Sequence, residues 1–365
     1  NMLLFVLFST QNYIKINFIC TMSKGGRFVN KGKHTVSSIA DALGVSRASV
    51  SRALNNSPGV GTELRKQILE YAEQIGYKTG IPSPEATTTK SNVIGLVFGD
   101  IQNPFYSDLA YHVQKTLNEH GYSVIIFNSE YDPEKEIEFI EMADKFQLAG
   151  LLLFTTQTNM DYLYVQSRKI PIVFVNRFLD LKNYDSVISD NFQAGYIAAM
   201  HLIELGHKRL GFISGHRFSS ASTRRLEGFK QALRNCLLPV NEEDFMEGDL
   251  KMTTGAEVAR QFLERDSQPT GIAIANDMMA LGFLDYCKSV NLSIPQDLSV
   301  ISFDDIVFSK LHGIELTTVS QHGKDMGEKA AQLILRRIKH PDADYKKIIL
   351  EPSLIVRNTT APYKH

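Results

Sequence analysis

Seven short, mainly apolar runs are spaced along the chain between residues 93 and 303. They are rich in Val, Ile, Leu and Phe and do not alternate strictly with polar residues, which is typical of parallel strands covered on both faces. The runs are 93–98, 124–127, 151–154, 172–175, 210–213, 272–275 and 300–303. We therefore predict a buried parallel strand at each of them.

Amphipathic stretches separate these runs. In residues 191–205, apolar side chains recur every three or four positions and Gly206 closes the pattern, which predicts a helix with a buried face. Strands that alternate with helices indicate a doubly wound α/β fold. The region is long enough for two such lobes, which we place within residues 93–358.

The pattern before residue 79 is different and predicts a helix-turn-helix within an all-α head, residues 34–78. Ile39 and Val50 fall where two crossed helices bury side chains, Gly44 lies where the turn needs a positive φ, and Ser46 can cap the second helix. Residues 79–92 have the composition of a hinge linker. Residues 1–33 form an N-terminal extension, which we expect to be disordered or, before Met22, not native.

The second helix of the head would present polar and small side chains outward. Arg and Asn can make paired hydrogen bonds to base edges in a major groove, and Ser can reach bases or phosphates. The residues we predict to contact DNA are Ser46, Arg47, Ala48, Ser51, Arg52 and Asn55. The alternative is a generic helical hairpin with a polar face.

The charge distribution agrees with a nucleic-acid contact at one end. The chain carries a net charge of −1, but residues 22–90 carry ten Lys and Arg against five Asp and Glu, a net +5. The residues after 90 are acidic, and a basic head on an acidic body favours DNA as the partner of the head.

Several functional classes are excluded by composition. The three cysteines, Cys20, Cys236 and Cys287, lie far apart, which argues against a disulfide framework or a cysteine zinc site and suits the cytoplasm. No apolar run is long enough to span a membrane. We find no P-loop, no G-x-G-x-x-G, no G-x-S-x-G and no H-E-x-x-H, so we predict neither an enzyme, nor a cofactor, nor a metal site.

The chain resembles the lac repressor family of bacterial transcription regulators over about residues 34–358. In the head the resemblance rests on Gly44-Val45-Ser46 and on Val50-Ser51-Arg52-Ala53-Leu54-Asn55. In the body it rests on Asn103-Pro104-Phe105, Arg225-Leu226-Glu227-Gly228-Phe229 and Asn276-Asp277-Met278-Met279-Ala280, among others. The resemblance implies a body like the periplasmic sugar-binding proteins, whose chain crosses three times between two lobes that hold a small molecule.

Candidate effector residues lie where such a fold binds ligands, beyond the carboxyl ends of the strands. By resemblance, effector contacts fall at Asn176, Arg225, Asn276, Asp304 and Gln321, with Phe105 and Tyr106 in the wall of the first lobe. Arg177 and Leu250 complete the candidate set. We expect Asp277 to cap the following helix, and His207 to mark a helix end that faces water.

The sequence departs from the family in two places. Leu250 stands where many relatives have an aromatic side chain that stacks on the ligand, so stacking would have to come from Phe105 or Phe178, or the ligand would not be a flat ring. Ala86 stands at the position of a leucine that wedges into the minor groove in relatives. Either the hinge helix forms after Pro84 without a strong wedge, or this protein bends DNA less, and we favour the second.

These observations predict a homodimeric DNA-binding regulator, a repressor of a carbohydrate-utilisation operon, whose affinity for operator DNA is changed by a sugar or a sugar derivative. Two alternatives stay open. One is a global regulator whose corepressor is a phosphoprotein, and the other is a solute-binding protein, for which a DNA-binding head would serve no purpose.

Overall fold

A computed structural model describes residues 35–54, 57–75, 77, 91–154, 160–177, 183–216 and 219–363. The predictions for residues 1–33, for the linker up to residue 90, and for Asn55, Ala86 and Phe178 lie outside these residues. The chain divides into two compact units, a head that ends at residue 89 and a body that begins at residue 90.

The head contains the three predicted helices, α1 (Val36–Leu43), α2 (Arg47–Leu54) and α3 (Thr62–Gln74). Gly44 has φ 63°, as the turn requires, and the Ser46 hydroxyl accepts a hydrogen bond from the Ser49 amide at 3.0 Å. Ile39, Val50 and Ile68 are fully buried and form the core between the helices.

The first lobe of the body is built on a sheet of six parallel strands in the order β11-β5-β4-β3-β1-β2. The strands are β1 (Val93–Phe98), β2 (Ser123–Asn128), β3 (Gly150–Leu153), β4 (Ile172–Val175), β5 (Asp185–Ser189) and β11 (Lys347–Leu350). The helices of this lobe are α4 (Pro104–Glu119), α5 (Pro133–Lys145), α6 (Met160–Ser167) and α11 (Gly323–Lys339).

The second lobe has a six-stranded sheet in the order β12-β10-β9-β8-β6-β7, in which only β12 is antiparallel to its neighbour. The strands are β6 (Leu210–Ser214), β7 (Phe245–Glu247), β8 (Gly271–Ile274), β9 (Ser299–Asp304), β10 (Thr317–Ser320) and β12 (Ser353–Ile355). Its helices are α7 (Asn191–Glu204), α8 (Ser220–Asn235), α9 (Met252–Leu263) and α10 (Asp277–Ser289), with short 3₁₀ turns at Glu242–Asp244 and Val307–Lys310.

The chain passes between the two lobes three times, as the resemblance implied. The crossings lie between β5 and α7, between β10 and α11, and between β11 and β12. At the second and third crossings the His322 ring contacts the Ser353 hydroxyl at 3.1 Å. Three adjacent single-chain connections allow the lobes to rotate about a common hinge.

All seven predicted strands are present, but five others were not predicted. β10 has the sequence Thr-Thr-Val-Ser, and its Thr317 and Thr318 are fully buried. Their burial is possible because both hydroxyl groups form hydrogen bonds with other side chains of the second lobe. Short or polar strands of this kind carry no apolar run.

The prediction for His207 was wrong. This side chain is only 4% exposed, and its ring contacts the hydroxyl groups of Thr270 and Ser299 and the carbonyl of Ala361 at 2.9–3.1 Å. His207 therefore lies inside the second lobe, where it holds the C-terminal segment against α7.

Candidate effector cleft and DNA-contacting helix

Backbone strain is concentrated where the strands of both lobes end. Asn176 follows β4 with φ 54°, Asp304 ends β9 with φ 115°, and Leu250 lies after β7 with φ 71°. Residues other than glycine rarely adopt a positive φ, and such conformations persist mainly at sites where the surrounding structure enforces them. These three residues belong to the predicted effector set.

Four predicted residues line one small cavity of about 20 Å³ between the lobes. Tyr106 and Asn176 come from the first lobe, as does the half-buried Arg177, and Leu250 faces them from the second lobe. The beginning of α8, residues 219–221, completes the wall. The predicted residues therefore converge, although they are separated by up to 144 positions in the sequence.

Arg225, Asp304 and Gln321 form a buried polar chain in the second lobe. The Arg225 guanidinium lies 3.5 Å from the Asp304 carboxylate and stacks over the Phe303 ring at 4.8 Å. It also donates to the Asn191 side chain at 2.8 Å and to the Ala275 carbonyl at 2.5 Å. The Gln321 amide nitrogen donates to Asp304 Oδ1, the same carboxylate oxygen that Arg225 approaches.

Burial raises the pKa of the Asp304 carboxyl to about 7, against the lowering effect of Arg225. An unfolded aspartate has a pKa of about 3.9, so the folded protein binds more protons than the unfolded chain between pH 4 and pH 7. The stability contributed by this group therefore falls as pH rises through that window.

We expect Asp304→Asn to remove this pH dependence. The free energy of unfolding of the variant, relative to the parent, should increase between pH 4.5 and pH 7.5, by at most about 1.4 kcal/mol per pH unit. Urea unfolding at four pH values measures it, with the exposed Asp266→Asn as the control. A constant difference between variant and parent would contradict the assignment.

Sequence reasoning missed Tyr131, which also lines the cavity. Its hydroxyl is hydrogen-bonded to Tyr106, and its ring lies 5.8 Å from the ring of His216 in the second lobe. Tyr131 has φ 60° and lies between β2 and the cap of α5 at Asp132. A tyrosine four residues past the carboxyl end of the predicted strand 124–127 was the available clue.

The prediction that Asp277 caps α10 was wrong. Asn276, not Asp277, caps α10, since its side-chain oxygen accepts from the Met279 amide at 3.0 Å. The Asn276 amide nitrogen donates to the Leu250 carbonyl at 2.9 Å. Asn276 is therefore bonded to the protein through both polar atoms and supports the strained Leu250.

Asp277 is fully buried and accepts four hydrogen bonds. The donors are the hydroxyl groups of Ser302, Ser309 and Thr318 and the backbone amide of Ile306. Burial raises the pKa of Asp277, and these four hydrogen bonds act in the opposite direction. The residue ties α10 to β9, to β10 and to the 3₁₀ turn that follows β9.

Phe105 lies behind the cavity wall. It is 4% exposed and packs edge-on against Tyr106, with ring centroids 5.5 Å apart. Its contribution is to hold the Tyr106 ring in place rather than to offer a free face.

In the head, α2 places most of the predicted DNA-contacting residues on its outer surface. Arg47, Ala48 and Arg52 are exposed, as is Ser46 at the cap, and Ser51 is half-buried. The Arg52 side chain runs along the loop between α2 and α3, next to Gly59. A methyl group added to Gly59 would lie 3.5 Å from the Arg52 guanidinium.

Among the described residues, no helix is both long and apolar enough to cross a bilayer. Across the same parts of the chain, no three His, Cys, Asp or Glu side chains come together as candidate metal ligands.

Two family models match the chain. Residues 35–80 match the model for bacterial regulatory proteins of the lacI family, and residues 91–358 match that for periplasmic binding proteins and the sugar binding domain of the LacI family. The chain belongs to the LacI family. It is a transcriptional regulator with a helix-turn-helix head and a two-lobed α/β body, not an enzyme.

Relatives of this LacI-family chain support the assignment along its length. It is 30% identical to the HTH-type transcriptional regulator DegA of Bacillus subtilis (strain 168), over 90% of this chain and 99% of DegA. It is 31% identical to the HTH-type transcriptional repressor PurR of Haemophilus influenzae (strain PittEE), over 89% and 98% respectively.

Solved structures agree. A LacI-family transcriptional regulator from Enterococcus faecium, with bound ribose, superimposes with a TM-score of 0.69 at 27% identity, covering 74% of this chain and all of that one. The transcriptional regulator CelR, in complex with cellobiose, gives a TM-score of 0.68 at 25% identity and covers 90% of this chain and all of CelR.

Proposed function

We propose that this regulator is a repressor that binds operator DNA inside the cell as a homodimer, and that a sugar held between the two lobes of the body changes its affinity for the operator. The observation that carries the proposal is the convergence of polar side chains from both lobes on one cleft beside the hinge. Similar proteins with bound ribose and cellobiose support a sugar as the ligand.

The size of the cleft supports a coupling between ligand and lobe position. A cavity of about 20 Å³ has room for about one water molecule, not for a sugar. A sugar needs more room, which rotation of the lobes about the hinge would provide. A ligand that stabilises one lobe arrangement over the other shifts the equilibrium between them, typically by about 1–3 kcal/mol, and operator affinity can follow that shift.

An exposed apolar surface on the second lobe supports the homodimer. A groove of about 570 Å³ is lined mainly by apolar side chains, including Met278, Leu281, Phe308 and Leu311. Phe308 and Leu311 are 42% and 48% exposed in the single chain. Exposed apolar surface of this extent marks an interaction site, and a second copy related by a two-fold axis would cover it.

In the head, the proposal assigns base contacts to Arg47, Ala48 and Arg52 of α2. Arginine can bond to the major-groove edge of guanine through two hydrogen bonds, and an alanine methyl can contact the methyl group of thymine. Ser46 and Ser51, together with the amide groups at the beginning of α2, would bind phosphates and set the orientation of the helix.

The proposed function predicts the outcome of a DNA selection. The full chain, mixed with a random-sequence duplex library, should enrich a palindrome whose half-sites occupy successive major grooves. Light scattering should give the mass of a dimer. Ribose or cellobiose should then change the affinity for the enriched duplex by about 5-fold to 150-fold.

Three outcomes would contradict parts of the proposal. A monomer mass with an asymmetric enriched sequence would exclude the homodimer. An affinity for DNA that no sugar changes would exclude a sugar effector and favour the phosphoprotein corepressor. Failure to enrich any sequence would exclude specific operator binding.

A further inference from the structure

We propose that the body of this regulator has a DNA-binding surface of its own, which contacts backbone phosphates of the duplex that the head binds. The inference rests on operator binding in the proposed function and goes beyond it, because it assigns a sequence-independent contact to the body. We call this surface the basic edge. It consists of the exposed or half-buried cations that precede β4 and β11 or begin β11, namely Arg168, Lys169, Arg336, Lys339, Lys346 and Lys347.

The first-lobe sheet brings these residues to one edge, because parallel strands all begin on the same side. β1, β3, β4, β5 and β11 are consecutive neighbours in the sheet and are parallel throughout. The last turn of α11 lies on this side as well, since the Arg337 side chain donates to Asp185, the first residue of β5, at 2.6 Å. The basic edge therefore runs from the beginning of β4 to the beginning of β11.

The linker from the head joins the body at the same edge of the sheet. It ends at residue 92, and β1 begins at Val93. Neighbouring strands lie about 4.8 Å apart, so β4 is about 10 Å and β11 about 19 Å from β1. The 14 residues of the linker, 79–92, span at most about 50 Å. A duplex bound by the head is therefore tethered to the edge that carries the cations.

The charge of the basic edge is opposite to that of the body as a whole. Residues 336–347 carry five Lys and Arg against two Asp, and Arg168 and Lys169 add two more cations. The residues after 90 are acidic overall. At the opposite edge of the same sheet, β1 and β2 are followed by Asp100 and Glu130. The charge distribution of the body therefore favours a polyanion at the basic edge.

A buried ion pair fixes the backbone that carries these cations. The fully buried Asp185 carboxylate accepts from Arg337 Nε at 2.6 Å and from the backbone amide of Lys346 at 2.8 Å. Arg337 also donates to the carbonyl groups of Pro341 and Ala343 at 2.6 and 2.7 Å. The loop between α11 and β11 is thus held in one conformation, which lowers the entropy cost of binding a partner there.

This network leaves the charge of the surrounding cations uncompensated. Asp185 is one carboxylate that faces two guanidinium groups, because Arg336 Nη1 also lies 3.8 Å from it. Lys339 and Lys346 are exposed, and neither forms an ion pair with any residue that the structure describes. A lysine that neutralises a DNA phosphate releases a bound counterion, so both side chains can contribute to binding.

An acidic protein is the other partner that a basic surface could bind. DNA is favoured because the linker holds the bound duplex close to this edge, which gives it an effective concentration that a free protein does not reach. The contact would add affinity for operator and random DNA alike, since phosphates carry no direct sequence information.

The salt dependence of operator binding by the full chain tests the inference. The probe is the operator obtained by selection, titrated by fluorescence anisotropy between about 50 and 300 mM KCl. Lys339→Gln combined with Lys346→Gln removes two exposed cations from each chain. Each phosphate contact contributes about 0.9 to the slope of log K against log [KCl], so the slope of a homodimer should become shallower by about 2 to 4. The affinity at 100 mM KCl should fall at least about 10-fold.

Two further variants separate this contact from general effects of charge and folding. Lys208→Gln combined with Arg234→Gln removes two exposed cations from the second lobe and should keep the slope of the parent. Lys339→Arg combined with Lys346→Arg retains both charges and should also keep that slope. Hydroxyl-radical footprints of the glutamine variant should lose protection outside the half-sites and retain it within them.

The possible failures are distinguishable. A parent slope in the Lys339→Gln, Lys346→Gln variant would overturn the DNA contact, leave operator binding intact and favour an acidic protein as the partner of this edge. An equal change of slope in the Lys208→Gln, Arg234→Gln control would also overturn it, because the effect would then depend on net charge alone. A parent chain that selects no operator would overturn the proposed function, and this inference with it.

Discussion

Replacing Arg52 with alanine should weaken binding to the selected operator by about 10-fold to 100-fold for each half-site, since a paired hydrogen bond from arginine to guanine contributes about 1–3 kcal/mol of discrimination. In a homodimer both half-sites lose this contact, so the total effect is larger. Arg52 is exposed on α2, and its side chain lies beside Gly59 in the loop before α3. Affinity for random-sequence DNA should change little.

The matched control is Lys66→Ala, which removes one positive charge from the exposed face of α3. Its charge acts on DNA phosphates whatever the base sequence, so its loss should weaken binding to operator and random DNA by the same factor. Fluorescence anisotropy with both duplexes, at two salt concentrations, separates the two variants. Both should bind the sugar that changes operator affinity as the parent does, because that ligand occupies the body.

An Arg52→Ala variant that binds the operator as tightly as the parent would exclude the major-groove role of α2. Equal losses on operator and random DNA would assign Arg52 to a phosphate rather than to a base.

Asp277→Ala should lower the free energy of unfolding of the second lobe by about 3–5 kcal/mol, the range expected when one partner of a buried charged network is removed. The substitution leaves three hydroxyl groups and the Ile306 amide without their common acceptor. It also frees the 3₁₀ turn at Val307–Lys310, which carries the exposed Phe308 of the proposed dimer surface.

Thermal and urea unfolding, followed together with amide hydrogen exchange, measure this effect. The isosteric Asp277→Asn keeps the volume and one acceptor, so its loss should be smaller, about 1–3 kcal/mol. The control Asp266→Ala, on an exposed residue of the same lobe, should stay within about 0.5 kcal/mol of the parent. Values for Asp277→Ala within that same margin would show that the four hydrogen bonds do not stabilise the lobe.

The elements of the fold could be predicted where the chain carries an apolar run or a helical period. β1 is apolar throughout, and β9 carries a mainly apolar run interrupted by Ser302; both strands were found from these runs. β7 and β12 have three residues each, and β11 alternates between exposed and partly exposed positions. Strands of this kind form because they can pair with the edge of a neighbouring strand. The local sequence contains no pattern that identifies this neighbour.

The candidate cleft could be predicted in part for a related reason. Asn176 and Asp304 lie at the carboxyl ends of predicted strands, and the rule that ligands bind there pointed to both of them. Leu250 came from the family resemblance instead, because β7 was not predicted. That rule applies equally to Tyr131, which was missed because its strand was followed only to Phe127. The choice between Asn276 and Asp277 as the cap was wrong because either residue type can cap a helix.

The order of residues alone determined the helix-turn-helix head, the alternation of strands and helices in the body, and the family to which the protein belongs, because these depend on spacing and on side-chain type. The folded body decided which polar side chains are bonded inside the protein and which of them line the cleft between the lobes. His207 is held by residues 63 to 154 positions away, and Asp277 by residues 25 to 41 positions away. Hydrogen bonds and burial arise between segments that meet only after folding, so a side chain's own neighbours along the chain do not specify them.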